Sequence, residues 1–155
     1  MVSPRWAHSP LSGVGAARNG GRWNRPGQSA LYASFEFFTA VSEYQQVVDA
    51  HPGRFLAFDV FAPAILDLRH AANRETLGIT PADLLSDWKR IHYKNSGEPP
   101  TWRACDVGRS AGADGLLTPS SQVPGGTNLV LWRWNDGQVR VDVHDPNREM
   151  PPPPA

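Results

Sequence analysis

The sequence predicts one domain of mixed α+β (mixed α/β) architecture. Its 155 residues are about one domain's worth of chain. Strand-like apolar runs alternate with segments of helical period along that length. Near the C-terminus, Asn128–Trp134 and Gln138–His144 read as two strands joined by Asn135-Asp136-Gly137, the signal of a β-hairpin.

Residues 1–30, rich in Gly, Pro, Ser and Arg, read as loop, and Ala30-Leu31-Tyr32-Ala33 as a short strand ending at Ser34. Phe37, Phe38, Ala40, Val41, Tyr44, Val47 and Val48 follow helical spacing and predict a helix over about 36–50. Glu43 falls inside that apolar stripe, where an acid is costly unless paired or functional. The other reading, a glutamate at the stripe's edge reaching solvent, stands beside it. His51-Pro52-Gly53 ends the helix; Phe55–Phe61 reads as a strand, with a short Ile65–Leu68 segment beyond. Thr80-Pro81-Ala82-Asp83 combines an N-cap, a proline at the first position and an acid at the third, and predicts a helix running to about Tyr93. Thr101 caps another through about Ala111, and Gly115–Thr118 reads as a buried strand. The domain is expected to span 1–146, with 147–155 as a proline-rich tail.

Composition excludes several classes. With 40% hydrophobic and 19% charged residues the chain is ordinary globular material. At this size it buries roughly 70% of its unfolded surface and needs no staple. The single cysteine, Cys105, rules out an intramolecular disulfide framework and a multi-cysteine zinc site, and reads as a buried thiol. The five histidines show no ligand spacing, so no metal is expected. No stretch approaches the ~20 apolar residues of a membrane span. A soluble, cytoplasmic protein is expected, acting on no membrane.

A formal net charge of zero argues against a broadly basic nucleic-acid binder. It also conceals an asymmetry. Residues 1–35 hold Arg5, Arg18, Arg22 and Arg25 and no acid, whereas residues 36–155 hold 15 acids against 11 bases. Arginines among Gly13, Gly15, Gly20, Gly21 and Gly27 suit a phosphorylated small molecule, which the guanidinium fork and closely approaching backbone hold together. A solvated basic loop is the alternative. Gly13-Val14-Gly15-Ala16-Ala17-Arg18 lacks the third glycine of a dinucleotide-binding turn, and GxxxxGK[ST], HExxH and GxSxG are all absent.

Three stretches stand together: Gly20-Gly21-Arg22-Trp23-Asn24-Arg25-Pro26-Gly27; then Ala30–Ser34 and Ala40-Val41-Ser42-Glu43-Tyr44; then Gly115–Ser120 and Asn128–Trp132. Over about Pro4 to Pro146 the chain resembles the RES domain, named after an arginine, a glutamate and a serine. The resemblance implies a toxin of the Xre–RES toxin–antitoxin type. It implies a fold similar to ADP-ribosyltransferases of the diphtheria-toxin kind, NAD as substrate and an Xre-like antitoxin as partner. By motif, Arg22 matches the arginine of the family block, Tyr32 its aromatic, Glu43 its helix glutamate, Ser120 its serine and Asn128 an asparagine often kept there. Glu43 is then expected to stabilise the ribose cation formed when the nicotinamide–ribose bond breaks, as carboxylates do in glycoside cleavage. Tyr32 would offer the nicotinamide a flat face, Arg22 would neutralise the pyrophosphate, and Ser120 would hydrogen-bond the nicotinamide ribose or its neighbour, unless Ser120 is a turn residue after Pro119 and Ser121 the true match. The family pattern carries a further arginine at about Met1 or just before it. A start set too late, a truncated first strand, or substitution by Arg5 each accounts for that place. The expected activity is NAD hydrolysis or phosphorolysis; protein ADP-ribosylation and an inactive, antitoxin-binding remnant are the alternatives.

Overall fold

A four-stranded sheet forms the centre of the fold. The computed structural model describes residues 1–46 and 52–149, with Arg5 described by its backbone alone. The sheet strands are β1 (Leu31–Ser34), β3 (Ile65–Asp67), β4 (Gly115–Pro119) and β5 (Thr127–Leu131). β5 runs antiparallel to both β1 and β4, and β3 is parallel to β4. A two-stranded ribbon, β2 (Phe58–Phe61) with β6 (Arg140–Val143), makes a second sheet.

Alternation along the strands divides the core. Leu116 and Val130 join Trp23, Leu68, Leu77, Ile79, Leu84, Cys105 and Trp132 in one buried cluster. Leu31, Leu129 and Leu131 join Val141 of the ribbon in the other, with Phe58, Ile65, Leu117 and Trp134 packed against it. Helices thus cover one face of the sheet and the β2–β6 ribbon the other. Trp132 and Trp134 pack into different clusters, and Cys105 is a buried thiol whose ionisation burial pushes up.

The helices are α1 (Val14–Asn19), α2 (Phe37–Gln45), α3 (Ala71–Thr76), α4 (Pro81–Leu84) and α5 (Pro100–Ser110), with a 3-10 turn at Pro4–Trp6 and a π-helical turn at Arg90–Lys94. α1 lies in a segment expected to be loop, and α3 was unforeseen. α2 is the expected helix; the end of that expectation, 47–50, lies outside the described residues, as does His51. Glu36, at its N-cap, accepts from the Thr39 hydroxyl (2.8 Å) and the Thr127 N–H (2.9 Å), tying the helix start to β5. Those donors hold the Glu36 carboxyl below its ordinary range.

Three expectations are corrected. Thr101, expected to cap a helix, lies inside the first turn of α5, whose N-cap is Pro99, and its hydroxyl donates to the Arg22 carbonyl instead. The helix from Thr80 begins as predicted, with a capping box in which Thr80 and Asp83 serve each other. It stops at Leu84 rather than Tyr93. Arg22 donates to the carbonyls of Leu84 and Ser86, acceptors that a continuing helix would offer to Trp88 and Arg90. The Arg90 N–H turns to the Asp87 carboxylate instead (3.1 Å). The C-terminal hairpin does not form either. β5 has both edges occupied, by β1 and β4, so β6 pairs with β2. The turn at Asn135-Asp136-Gly137 is present, with Asn135 at φ 53°. The Asn135 side chain exchanges two hydrogen bonds with Val141 (2.8 and 3.1 Å), serving backbone groups a hairpin partner would have served. Beyond it, the segment after Asp145 turns at Arg148, and residues 150–155 of the expected tail lie outside the described residues.

Candidate active site

The block Gly20–Gly27 is held by α5. Thr101 donates to the Arg22 carbonyl (2.6 Å), the Trp102 indole to that of Gly21 (2.8 Å), and Cys105 to that of Trp23 (3.1 Å). Trp132 donates to the Trp23 carbonyl as well (3.0 Å). Asn24 is fully buried; its amide donates to the carbonyls of Ala16, Arg25 and Gln28, closing the loop on itself. Its oxygen accepts from the Tyr32 hydroxyl (2.7 Å), which in turn accepts from the Trp23 N–H (3.0 Å). A Cβ on Gly21 would collide with that hydroxyl, so only glycine permits the contact. Each residue type in the block therefore has a place: Gly21 for close approach, Trp23 for the core, Asn24 to staple the loop.

Arg22 is the member that faces outward from this knot, into a pocket of about 610 Å³. The pocket opens on the helix-covered face of the sheet, where Tyr32 and Ser34 of β1, Asn128 and Val130 of β5 and Thr118 of β4 come together by the period of two. Glu43 of α2 lines it too. Arg22 donates to Leu84 O (3.0 Å) and Ser86 O (2.6 Å) through one guanidinium nitrogen. Burial lowers its pKa and the field of Glu43 opposes that shift; arginine stays charged regardless. Tyr32 exposes 43% of its surface while its hydroxyl end is buried, and that burial pushes the phenol well above its ordinary range.

Glu43 is anchored through a single oxygen. Its Oε1 accepts from the Ser120 hydroxyl and from the Asn128 amide, both at 2.7 Å. Its Oε2 accepts only from the exposed Gln46 side chain among the hydrogen bonds described. Of the two readings of Glu43, the solvent-reaching edge and the paired acid, the structure has the paired one.

The structure thus brings together Arg22, Tyr32, Glu43, Ser120 and Asn128. Ser120 differs from its expected place. Its Oγ donates to Glu43 and accepts from the N–H groups of Gln122 (3.0 Å) and Val123 (3.1 Å), so it faces the glutamate rather than the cavity, and Ser121 lines the wall instead. Arg25 of the basic front does not join Arg22 in the pocket. Arg25, three residues from Arg22, pairs with Glu98 (2.6 Å) and Asp106 (2.8 Å) and stacks over Trp102. The Arg5 side chain lies outside what is described. Sequence reasoning missed Ser34, Trp88, Lys89 and Tyr93 as pocket residues. Ser34 had a signal, two residues after Tyr32 on one strand face; the others sat in what read as an unbroken helix. Among the described residues, no group of three or more His, Cys, Asp or Glu is placed to hold a metal ion, and no helix is long and apolar enough to cross a membrane.

Fold and pocket together define a mixed α/β domain with a ligand-sized cavity in which an arginine and an anchored glutamate face the same space. The chain belongs to the RES domain family, whose model matches residues 2–152. It is similar to Toxin Res of Yersinia enterocolitica, at 29% identity over 136 residues, covering 84% of this chain and 80% of that protein. Its fold is that of a chain in the crystal structure of the M. tuberculosis MbcT-MbcA toxin-antitoxin complex, with a TM-score of 0.62 at 24% identity over 85% of this chain and 74% of that one.

Proposed function

We propose that the protein is an NAD-consuming toxin that cleaves the bond between nicotinamide and ribose. The observation that carries this reading is the Glu43 carboxylate, held by two 2.7 Å donors on one oxygen, on a pocket shared with Arg22 and an exposed Tyr32 ring. When that bond breaks, its electron pair leaves with nicotinamide, which departs neutral, and positive charge develops on the ribose. A carboxylate already oriented stabilises that charge without reorganising. Glu43 supplies it, presenting Oε2 once the Gln46 side chain moves aside. Ser120 and Asn128 act as positioning residues through Oε1. Arg22 offers its remaining guanidinium N–H groups to the pyrophosphate, and the Tyr32 ring offers a face to the nicotinamide.

Water then captures the ribose to give ADP-ribose, or inorganic phosphate captures it to give ADP-ribose 1-phosphate at that carbon. Family membership, and the toxin-antitoxin complex that contains the similar M. tuberculosis chain, support an antitoxin partner; an Xre-like one is part of this proposal. A cytoplasmic site of action belongs to the same proposal. The test is chromatography of NAD incubated with the protein, with and without phosphate and with cell lysate. Nicotinamide release is expected, and Glu43→Gln is expected to reduce it about 100-fold or more. Labelled lysate protein in place of free ADP-ribose would assign the chain as a transferase. Unchanged NAD, with retained antitoxin binding, would leave a binding-only domain and overturn the reading.

A further inference from the structure

We propose that Ser34 is a positioning residue, which sets the orientation of the Asn128 amide and through it holds Glu43; the part played in turnover rests on the NAD-cleaving reading above. Ser34 Oγ lies 2.7 Å from Asn128 Oδ1, and Asn128 Nδ2 lies 2.7 Å from Glu43 Oε1. The direction of this chain follows from chemistry alone. An ionised carboxylate only accepts, so the amide must turn its nitrogen to Glu43 and its oxygen to Ser34. Ser34 must therefore donate. Without that hydroxyl, the amide oxygen has no described side-chain partner, and the amide is held at its nitrogen end alone.

The sheet builds this relay into its register. Ser34 and Asn128 are direct partners across β1 and β5, on the pocket face. Opposite side chains in an antiparallel pair stand about 5 Å apart at Cβ, which suits a serine hydroxyl and an asparagine oxygen. The second donor to Glu43 is backed in the same way, because Ser120 accepts two backbone N–H groups while it donates. Both donors to Oε1 are thus themselves oriented by a further partner. Bonds arranged in series polarise and fix one another, which is the means by which a site holds a charged group in one place.

The test compares wild type, Ser34→Ala and Ser34→Thr, the last retaining a hydroxyl. In NAD cleavage, Ser34→Ala is expected to lower kcat about tenfold with KM within about twofold, and Ser34→Thr to restore most of the loss. In parallel, nitrogen-15 NMR follows the Asn128 side-chain NH2 pair, assigned by its disappearance in Asn128→Ala. The wild-type pair is expected to be sharp and slow to exchange, and in Ser34→Ala to broaden and exchange with water. An NH2 pair unchanged in Ser34→Ala, or kcat unchanged in an active protein, overturns the relay. So does a KM rise that accounts for the whole loss, since Ser34 would then act on ground-state binding. A wild type that leaves NAD intact refutes the NAD reading instead, and the NMR comparison still decides whether Ser34 holds Asn128.

Discussion

Arg22 and Arg25 sit three residues apart on one loop and have opposite fates. Arg25 reaches the surface, where two carboxylates neutralise it and Trp102 receives its guanidinium plane. Arg22 turns into the pocket and donates to backbone carbonyls, so its charge is oriented with no contacting acid among the described residues. Carbonyl partners leave a cation available to a ligand, and carboxylate partners do not. The lesson is that a basic segment becomes a binding site according to what its arginines touch, not how many it has.

The comparison breaks most severely at Arg22. Replacing it with alanine is expected to reduce NAD turnover about 100-fold, and Arg22→Lys to recover little, because a point charge cannot hold two carbonyls and a phosphate in a planar fork. Steady-state kinetics reads this directly. If Arg22→Ala turns over normally, the distinction drawn between the two arginines is wrong.

The next effect falls on the loop that sets them apart. Asn24→Ala strands the Tyr32 hydroxyl and the carbonyls of Ala16 and Gln28, all served by one buried side chain. A cost of about 2–3 kcal/mol in urea unfolding is expected. Arg25→Ala should cost less, about 1 kcal/mol, since its pairs are partly exposed and screened by solvent. It should leave kcat for NAD unchanged.

The smallest effect is a pH dependence. Arg25 holds the Glu98 carboxyl below its ordinary range, chiefly through their hydrogen bond. A carboxylate with a depressed folded pKa binds more protons when unfolded, so its stabilisation is present above about pH 4.3 and fades as pH falls below that. The difference in Tm between wild type and Arg25→Ala is therefore expected to shrink as melts are taken from about pH 6 towards pH 3. A constant difference would assign Arg25's contribution to its stacking on Trp102 instead.

Much of the site was legible, residue by residue. Arg22, Tyr32 and Glu43 stood out by motif, and the acid inside an apolar helical stripe left two readings, paired or solvent-reaching, of which the structure has the first. What could not be read was who the partners are. Asn128 lies 85 residues from Glu43 and Ser34 lies 94 from Asn128, and the pairing exists only because β1 and β5 are neighbours in the sheet. The helix beyond Leu84 misled for a similar reason: its local signals were sound, and a guanidinium 62 residues upstream took its carbonyls. The hairpin at Asn135 failed because a strand has two edges and β5 had already used both.

Local physics therefore sits in the sequence itself: the α+β class, the Thr80 capping box, the buried β4 strand and the arginine-rich, acid-free front are set by neighbours within a few residues. Tertiary structure alone decided what Arg22 and Arg25 touch. The acids that claim Arg25 lie 73 and 81 residues away, and charges that far apart in the chain meet only after the fold has chosen its contacts.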